Sequence, residues 1–313
     1  MPARAPNPIT APLAAVLRRW VLGVFPRGQS GIDYDVPLGD PGLFGPDTVT
    51  WRIHSDFPGM LAGGLCALML QALHPRVLAG VWDHSDFRDD LVGRLRRTTA
   101  FVAGTSFAGT GAANALVARV RSIHGHVRGT TADGQSYAAD DPDLLSWVHA
   151  SEAYAFLQGF RRYGGLDVPA WAEDRYYAEG AGVARALGAI DVPADRTSLD
   201  AYFAAQLPAL RHDARSREVL DVLARIRLPV PGATVTRGLF LGAGAALLPP
   251  WAEATLGFTP MQRARHVACA RALQALAPVF RIALPDGAGP RACRRVGVSP
   301  DILRTWPARD ASA

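Results

Sequence analysis

Residues 59–73, GMLAGGLCALMLQAL, contain no charged side chain and a single amide, Gln71. A run this apolar has to be kept from water, yet it falls short of the about 20 residues that cross a bilayer comfortably. It reads as a buried core helix. Beyond it, apolar residues recur at helical spacing, and Pro or Gly punctuates the boundaries at His74-Pro75, Gly164-Gly165, Pro208, Pro231-Gly232, Pro249-Pro250 and Pro260. The pattern predicts helices over roughly 58–73, 87–103, 108–128, 141–163, 168–188, 197–212, 215–226, 233–248 and 260–280. Residues 30–50, rich in Gly, Pro and Asp, read as loop. The stretch GTTADGQSYAADD, with its central Asp-Gly, reads as a small turn or hairpin. There is no repeat and no run of alternating strands, so the expected fold is an all-α single domain over 40–280. Residues 1–39 are expected to form an N-terminal helix and loop. Residues 281–313, rich in Pro and Arg, are expected to form a surface extension with a frayed end.

The N-terminal stretch APLAAVLRRWVLGVF is amphipathic and interrupted by Arg18-Arg19. No small-residue cleavage site follows, so it reads as a mature helix. It is also the segment that offers a peripheral membrane contact; no transmembrane segment is expected. All 33 basic residues are arginine, because the chain has no lysine. That removes the usual Schiff-base former and leaves the net charge of +5 on groups that stay protonated. The arginines are scattered among apolar residues, with no zinc-finger spacing and no aromatic RNA-binding signature, so no nucleic-acid partner is expected. Cys66, Cys269 and Cys293 lie far apart and form neither CxxC nor CxxCH. There is no zinc knuckle, redox pair or covalent haem attachment, and an odd number of cysteines without a framework fits a reducing, cytoplasmic setting.

Two histidines stand close together in VRSIHGHVRG. On a helix, residues two apart point about 200° away from each other. His124 falls in the apolar stripe of Leu116, Val117, Val120, Ile123 and Val127, while His126 falls with Arg119 and Ser122 on the polar side. An imidazole in an apolar stripe needs a partner, since burial without one costs about 1–3 kcal/mol. A backbone carbonyl, a carboxylate or a metal would each serve. In GRLRRTTAF, Arg94, Thr98 and Phe101 share a face with Leu91, Arg97 borders it, and Arg96 points away. An arginine on an apolar face calls for a buried anion, either a ligand's or one of Asp83, Asp86, Asp89 and Asp90. Along DPDLLSWVHASEAYAFLQGF, His149 lies with Leu145, Phe156 and Phe160. Glu152 lies with Leu144, Val148 and Ala155, as a general base of raised pKa or as an arginine's buried partner. His-Ser-Asp occurs twice, at 54–56 and 84–86. With a third histidine, HxD can build a two-His-one-carboxylate iron site, but both aspartates also read as ordinary turn or N-terminal residues.

In order along the chain stand LFGPDTVTWRIHSD, GGLCALMLQALHPRVLAGVWDHSDF, GRLRRTTAFV, VRSIHGHVRG and DGQSYAADDPDLLSWVHA. Over about residues 40–280 the chain resembles the catalytic domain shared by latex-clearing rubber oxygenases and the fungal oxygenase of the mycophenolic acid pathway. The resemblance implies a globin-like helical core, a non-covalent haem b and dioxygen activation. It implies that His124 is the proximal iron ligand and that Arg94 and Thr98 are the two residues of the family's Arg-x-x-x-Thr motif. Where the rubber-cleaving members have a lysine before the motif threonine, this chain has Arg97, which offers no lone pair to iron. The position opposite His124 is then expected to be open or water-filled. No equivalent of the acidic base for polymer cleavage is evident, and Glu152 and Asp83 are the candidates.

The expected function is therefore a haem-b oxygenase acting with dioxygen on a small hydrophobic substrate, isoprenoids included. His124 would hold the iron, with Arg94, Thr98 and His149 around the cofactor. Arg94, Arg97, Thr98 and Glu152 are the candidate catalytic residues, and His149 remains open as the axial ligand. Rival expectations are a haem-binding or sensing protein without turnover, a non-haem metal enzyme using His54, Asp56, His84 or Asp86, and a structural helical protein. The oligomeric state is not legible.

Overall fold

The computed structural model describes residues 11–28, 31–230 and 232–309. The other residues, including the expected frayed end at 310–313, lie outside the described residues. The element order is α1 (Ala11–Val24), α2 (Val49–His54), α3 (Phe57–Gln71), α4 (Pro75–His84), α5 (Leu91–Phe107) and α6 (Thr110–His124). A hairpin of β1 (Arg128–Thr130) and β2 (Ser136–Ala138) follows, and then α7 (Pro142–Tyr163), α8 (Ala170–Leu187), α9 (Arg196–Gln206) and α10 (Ala214–Arg225). The chain ends with α11 (Ala233–Ala245), α12 (Pro250–Leu256), α13 (Pro260–Ala283) and α14 (Ala288–Arg295). The fold is all-α apart from the antiparallel hairpin, which pairs Arg128 with Ala138 and Thr130 with Ser136.

The charge-free run forms α3, the central helix, packed against α7, α11 and α13. Gly63 and Gly159 make the α3–α7 approach possible. A Cβ on Gly63 would lie 2.7 Å from the Ala155 carbonyl oxygen, and one on Gly159 would lie 2.2 Å from that of Gly59. Around this pair, Trp147, Leu157, Tyr177, Leu199, Leu273 and Phe280 are buried. α1 closes the core from the side, with Trp20 stacked on Phe240 and edge-on to Phe280.

Local chemistry explains the boundaries that the periodicity placed differently. The segment 75–84 is a helix: Pro75 opens it with His74 as its N-cap, accepting from the Val77 N–H. Asp90 caps α5 at Gly93, so that helix starts at 91 rather than 87. α6 stops at His124, with Gly125 as C-cap, so His126 lies off the helix. Three short helices, α2, α12 and α14, carry too few residues for a periodic pattern to register. Residues 288–304 are not a surface extension. Cys293 and Ala292 are buried against Trp51 and Phe107, and the buried Arg295 guanidinium donates to the carbonyl oxygens of Asp40, Tyr34 and Phe107 at 2.7, 2.9 and 2.6 Å.

Candidate active site

α3, α5 and α7 border an open cavity of about 1830 Å³ that reaches residues all round α5, from Gly93 to Ala103. That is nearly twice the upper end of ordinary small-ligand sites, about 1,000 Å³. The end of α6 and the hairpin close one side. The ends of α1 and α13 and the segment leading into α14 border the other. Leu61, Leu68, Val102, Val148 and Phe156 contribute to its apolar lining, and His124, His149, Glu152, Arg94, Arg97 and Thr98 all border the same space. Helical period 3.6 brings this about. His149, Glu152 and Phe156 follow one another on one face of α7, and Arg94, Thr98 and Phe101 on one face of α5.

His124 is the last residue of α6, and its buried Nδ1 has no hydrogen-bond partner. Burial pushes its pKa below the ordinary value, against the pull of Asp140. His149 likewise has a buried, unpartnered Nε2 and packs beside Gly180 of α8. Burial, assisted by Arg185, lowers it to about 4. Both imidazoles are thus neutral near pH 7 and carry an unused buried nitrogen, a state that normally costs stability. One turn along α7, burial raises the Glu152 carboxyl to about 7, opposed by a hydrogen bond from Gln71. No arginine pairs with Glu152 among the described contacts, so its alternative role as a buried ion-pair partner is not what the structure contains.

Arg94 donates to the Ser85 hydroxyl at 2.7 Å. Burial and the neighbouring Arg97 depress its pKa, and among the described residues no carboxylate pairs with it. Of the four aspartates offered by the sequence, Asp86 and Asp89 are exposed and Asp83 and Asp90 are engaged elsewhere. Asp90 caps α5 and meets Arg97 at 3.3 Å in an exposed pair. Asp83 accepts from Tyr137 at 2.5 Å. Arg96, expected on the opposite face, borders the cavity as well and donates to the Val24 and Gly23 carbonyls of α1 at 2.5 and 3.1 Å. His126 is exposed, with Nδ1 2.7 Å from the Ser122 carbonyl.

The two His-Ser-Asp motifs do not converge. Asp56 caps α3 at Gly59 and pairs with Arg281 at 2.6 Å. His84 reaches the Arg128 carbonyl at 3.2 Å, and Asp86 is exposed. Among the described residues no three His, Cys, Asp or Glu side chains are grouped to hold a metal. His54 borders the cavity in a chain that the sequence reading missed. Ser106 donates to the Val102 carbonyl at 2.6 Å, so its oxygen accepts from His54 Nδ1 at 2.7 Å, and His54 Nε2 accepts from Tyr176 at 2.9 Å. Burial, together with nearby His149, lowers His54 to about 3. Nothing in the local sequence pairs residues 54, 106 and 176. Gln71 did carry a signal, as the one polar side chain in the apolar run.

Comparison with curated proteins and with solved structures returned no significant match. A family model described as ER-bound oxygenase mpaB/B'/Rubber oxygenase, catalytic domain, matches residues 51–282. That span runs from α2 through all but the last residue of α13 and includes every cavity residue discussed above on α3, α5, α6 and α7. The chain belongs to this oxygenase catalytic-domain family and is, at that level, an oxidoreductase.

Proposed function

We propose that the chain is a haem-b oxygenase that uses dioxygen on an apolar substrate held in the cavity, with His124 as the iron ligand. The observation that carries this is the buried, unpartnered imidazole nitrogen of His124 on the wall of a cavity with room for a flat macrocycle and a second molecule. The donor set suits that cofactor. His124 is neutral near pH 7, as an axial imidazole must be. Arg94, half-buried and without a carboxylate, suits a propionate. Bound haem would supply iron for dioxygen activation, chemistry no side chain in the cavity can perform.

The remaining work falls to the chain's own groups. The apolar walls keep water from the reacting substrate. Thr98, an exposed residue on the border of the same space as Arg94, adds a hydroxyl to its donor set. Glu152 holds its proton up to about pH 7 and can give or take one at the cavity wall. His149, one turn away, offers its free Nε2 to the same space or to the iron. Arg97 stays protonated, so it can donate hydrogen bonds into the cavity but cannot ligate. Three unpaired cysteines go with a reducing, cytoplasmic compartment. No single helix among the described residues is long and apolar enough to cross a membrane.

Purified protein from haem-supplied cells is expected to show a Soret band, with His124→Ala losing or shifting it while the far-ultraviolet circular dichroism stays unchanged. A spectrum unaltered in His124→Ala would remove His124 from the role, and a colourless folded protein would remove the cofactor.

A further inference from the structure

The side of the cavity away from His124 is bordered by Phe25, Phe57, Phe280 and Leu284. The three phenylalanine rings run together, with Phe25 edge-on to Phe57 and Phe57 tilted onto the buried Phe280 at centroid distances of 6.1 and 5.9 Å. At its lip, Arg27, Asp286 and Arg294 border the opening. The single Asp286 carboxylate is shared by Arg18, Arg27 and Arg294, at 3.9, 3.8 and 3.9 Å. These separations lie outside hydrogen-bonding range. Neighbouring pairs are tight by contrast: Arg291 holds Asp33 and Asp35 at 2.8 and 2.6 Å, and Arg281 holds Asp56 at 2.6 Å. Arg18 and Arg27 are steadied by carbonyl oxygens, those of Ala283 at 3.1 Å and Asp286 at 3.2 Å. Arg294 also faces Asp35, which Arg291 already holds. Three guanidinium groups, about half exposed in two cases, thus meet one loosely placed carboxylate at the entrance to an aromatic slot.

We propose that this lip receives the carboxylate head of a single-tailed amphiphile whose unsaturated tail enters along Phe57 and Phe280 toward His149 and Glu152, so that the substrate class is a long-chain unsaturated acid rather than a neutral hydrocarbon. The head would settle among the arginines and satisfy N–H groups that Asp286 does not reach, while the tail replaces water on the apolar wall. The proposal rests on the oxygenase reading for the fate of the tail, but not for its binding. The same anionic chemistry could come from the propionates of a porphyrin or from the surface of an anionic bilayer, so the test separates the three.

Calorimetric titration of the full chain with monomeric oleate, oleyl alcohol and hemin is the measurement, with co-sedimentation on phosphatidylglycerol vesicles beside it. Oleate is expected to bind more tightly than oleyl alcohol and to weaken in 0.5 M salt. The double variant Arg27→Gln/Arg294→Gln is expected to bind oleate at least ~10-fold more weakly, with hemin binding and circular dichroism unchanged, and Arg27→Lys/Arg294→Lys is expected to recover most of the loss. Equal binding of acid and alcohol, or oleate affinity indifferent to the double variant, overturns the proposal. So does a double variant that loses hemin instead, or sedimentation on vesicles without binding of monomeric oleate. Oleate binding that survives in His124→Ala while the Soret test fails would leave this site standing without the haem. A normal Soret band with no oleate binding would do the reverse.

Discussion

Replacing Glu152 by Gln removes one proton-binding group and leaves the shape of the side chain almost unchanged. In the folded protein burial holds this carboxyl at about 7, against 4.5 for an ordinary glutamate. Below pH 4.5 it is protonated in both folded and unfolded chains and costs nothing. Between 4.5 and about 7 the unfolded chain ionises while the folded one resists, and stability is lost. Above about 7 the loss is complete and constant. At 1.36 kcal/mol per pH unit this amounts to ~3 kcal/mol. The amide that replaces the carboxyl has no such cost at any pH and can still meet Gln71. Urea unfolding of haem-free wild type and Glu152→Gln is the assay. The variant is expected to be more stable by under about 1 kcal/mol at pH 5 and by ~3 kcal/mol at pH 8. A difference that stays flat between those two values, or a variant destabilised at pH 8, would mean that Glu152 is solvated or paired and holds no proton at the cavity wall near pH 7.

Two further outcomes are expected. His54 and His149 are lowered to about 3 and about 4, so the unfolded chain takes up their protons below pH 6.5 and the folded one does not. Stability should therefore decline as pH falls from 6.5 toward 4, and His149→Gln should flatten that decline in the same urea series; an unchanged slope would count against the buried neutral imidazole. Gly159→Ala should destabilise by about 1–3 kcal/mol, because its methyl would press on the Gly59 carbonyl, while Gly111→Ala, on open space within α6, should be neutral to slightly stabilising in the same melts.

The helical class and the faces of α5 and α7 were legible because each rests on a repeat of 3.6 residues carried over 17 and 22 residues. The same rule separated His124 from His126, but not Arg94 from Arg96, which both border the cavity. Ile123, read into the apolar stripe, turned out 52% exposed, although α6 packs against both α5 and α8. What periodicity could not supply was contact between distant segments. The bond from Tyr176 to His54 and the grip of Arg281 on Asp56 join residues 122 and 225 positions apart. Nor could it tell that, of the aspartates before Arg94, Asp90 would cap α5, Asp83 would meet Tyr137 and Asp86 and Asp89 would face solvent, leaving that guanidinium without a carboxylate among the described residues.

Arg295 has a consequence for how the polypeptide is made. Its guanidinium clasps carbonyls at 34, 40 and 107, and Cys293 lies under Trp51 and Phe107. A nascent chain leaving the ribosome carries Trp51 and Phe107 uncovered for the next two hundred or so residues of synthesis. The early third of the molecule waits for its last helix, and a chain interrupted before position 295 would keep that greasy seam open to chaperones and proteases.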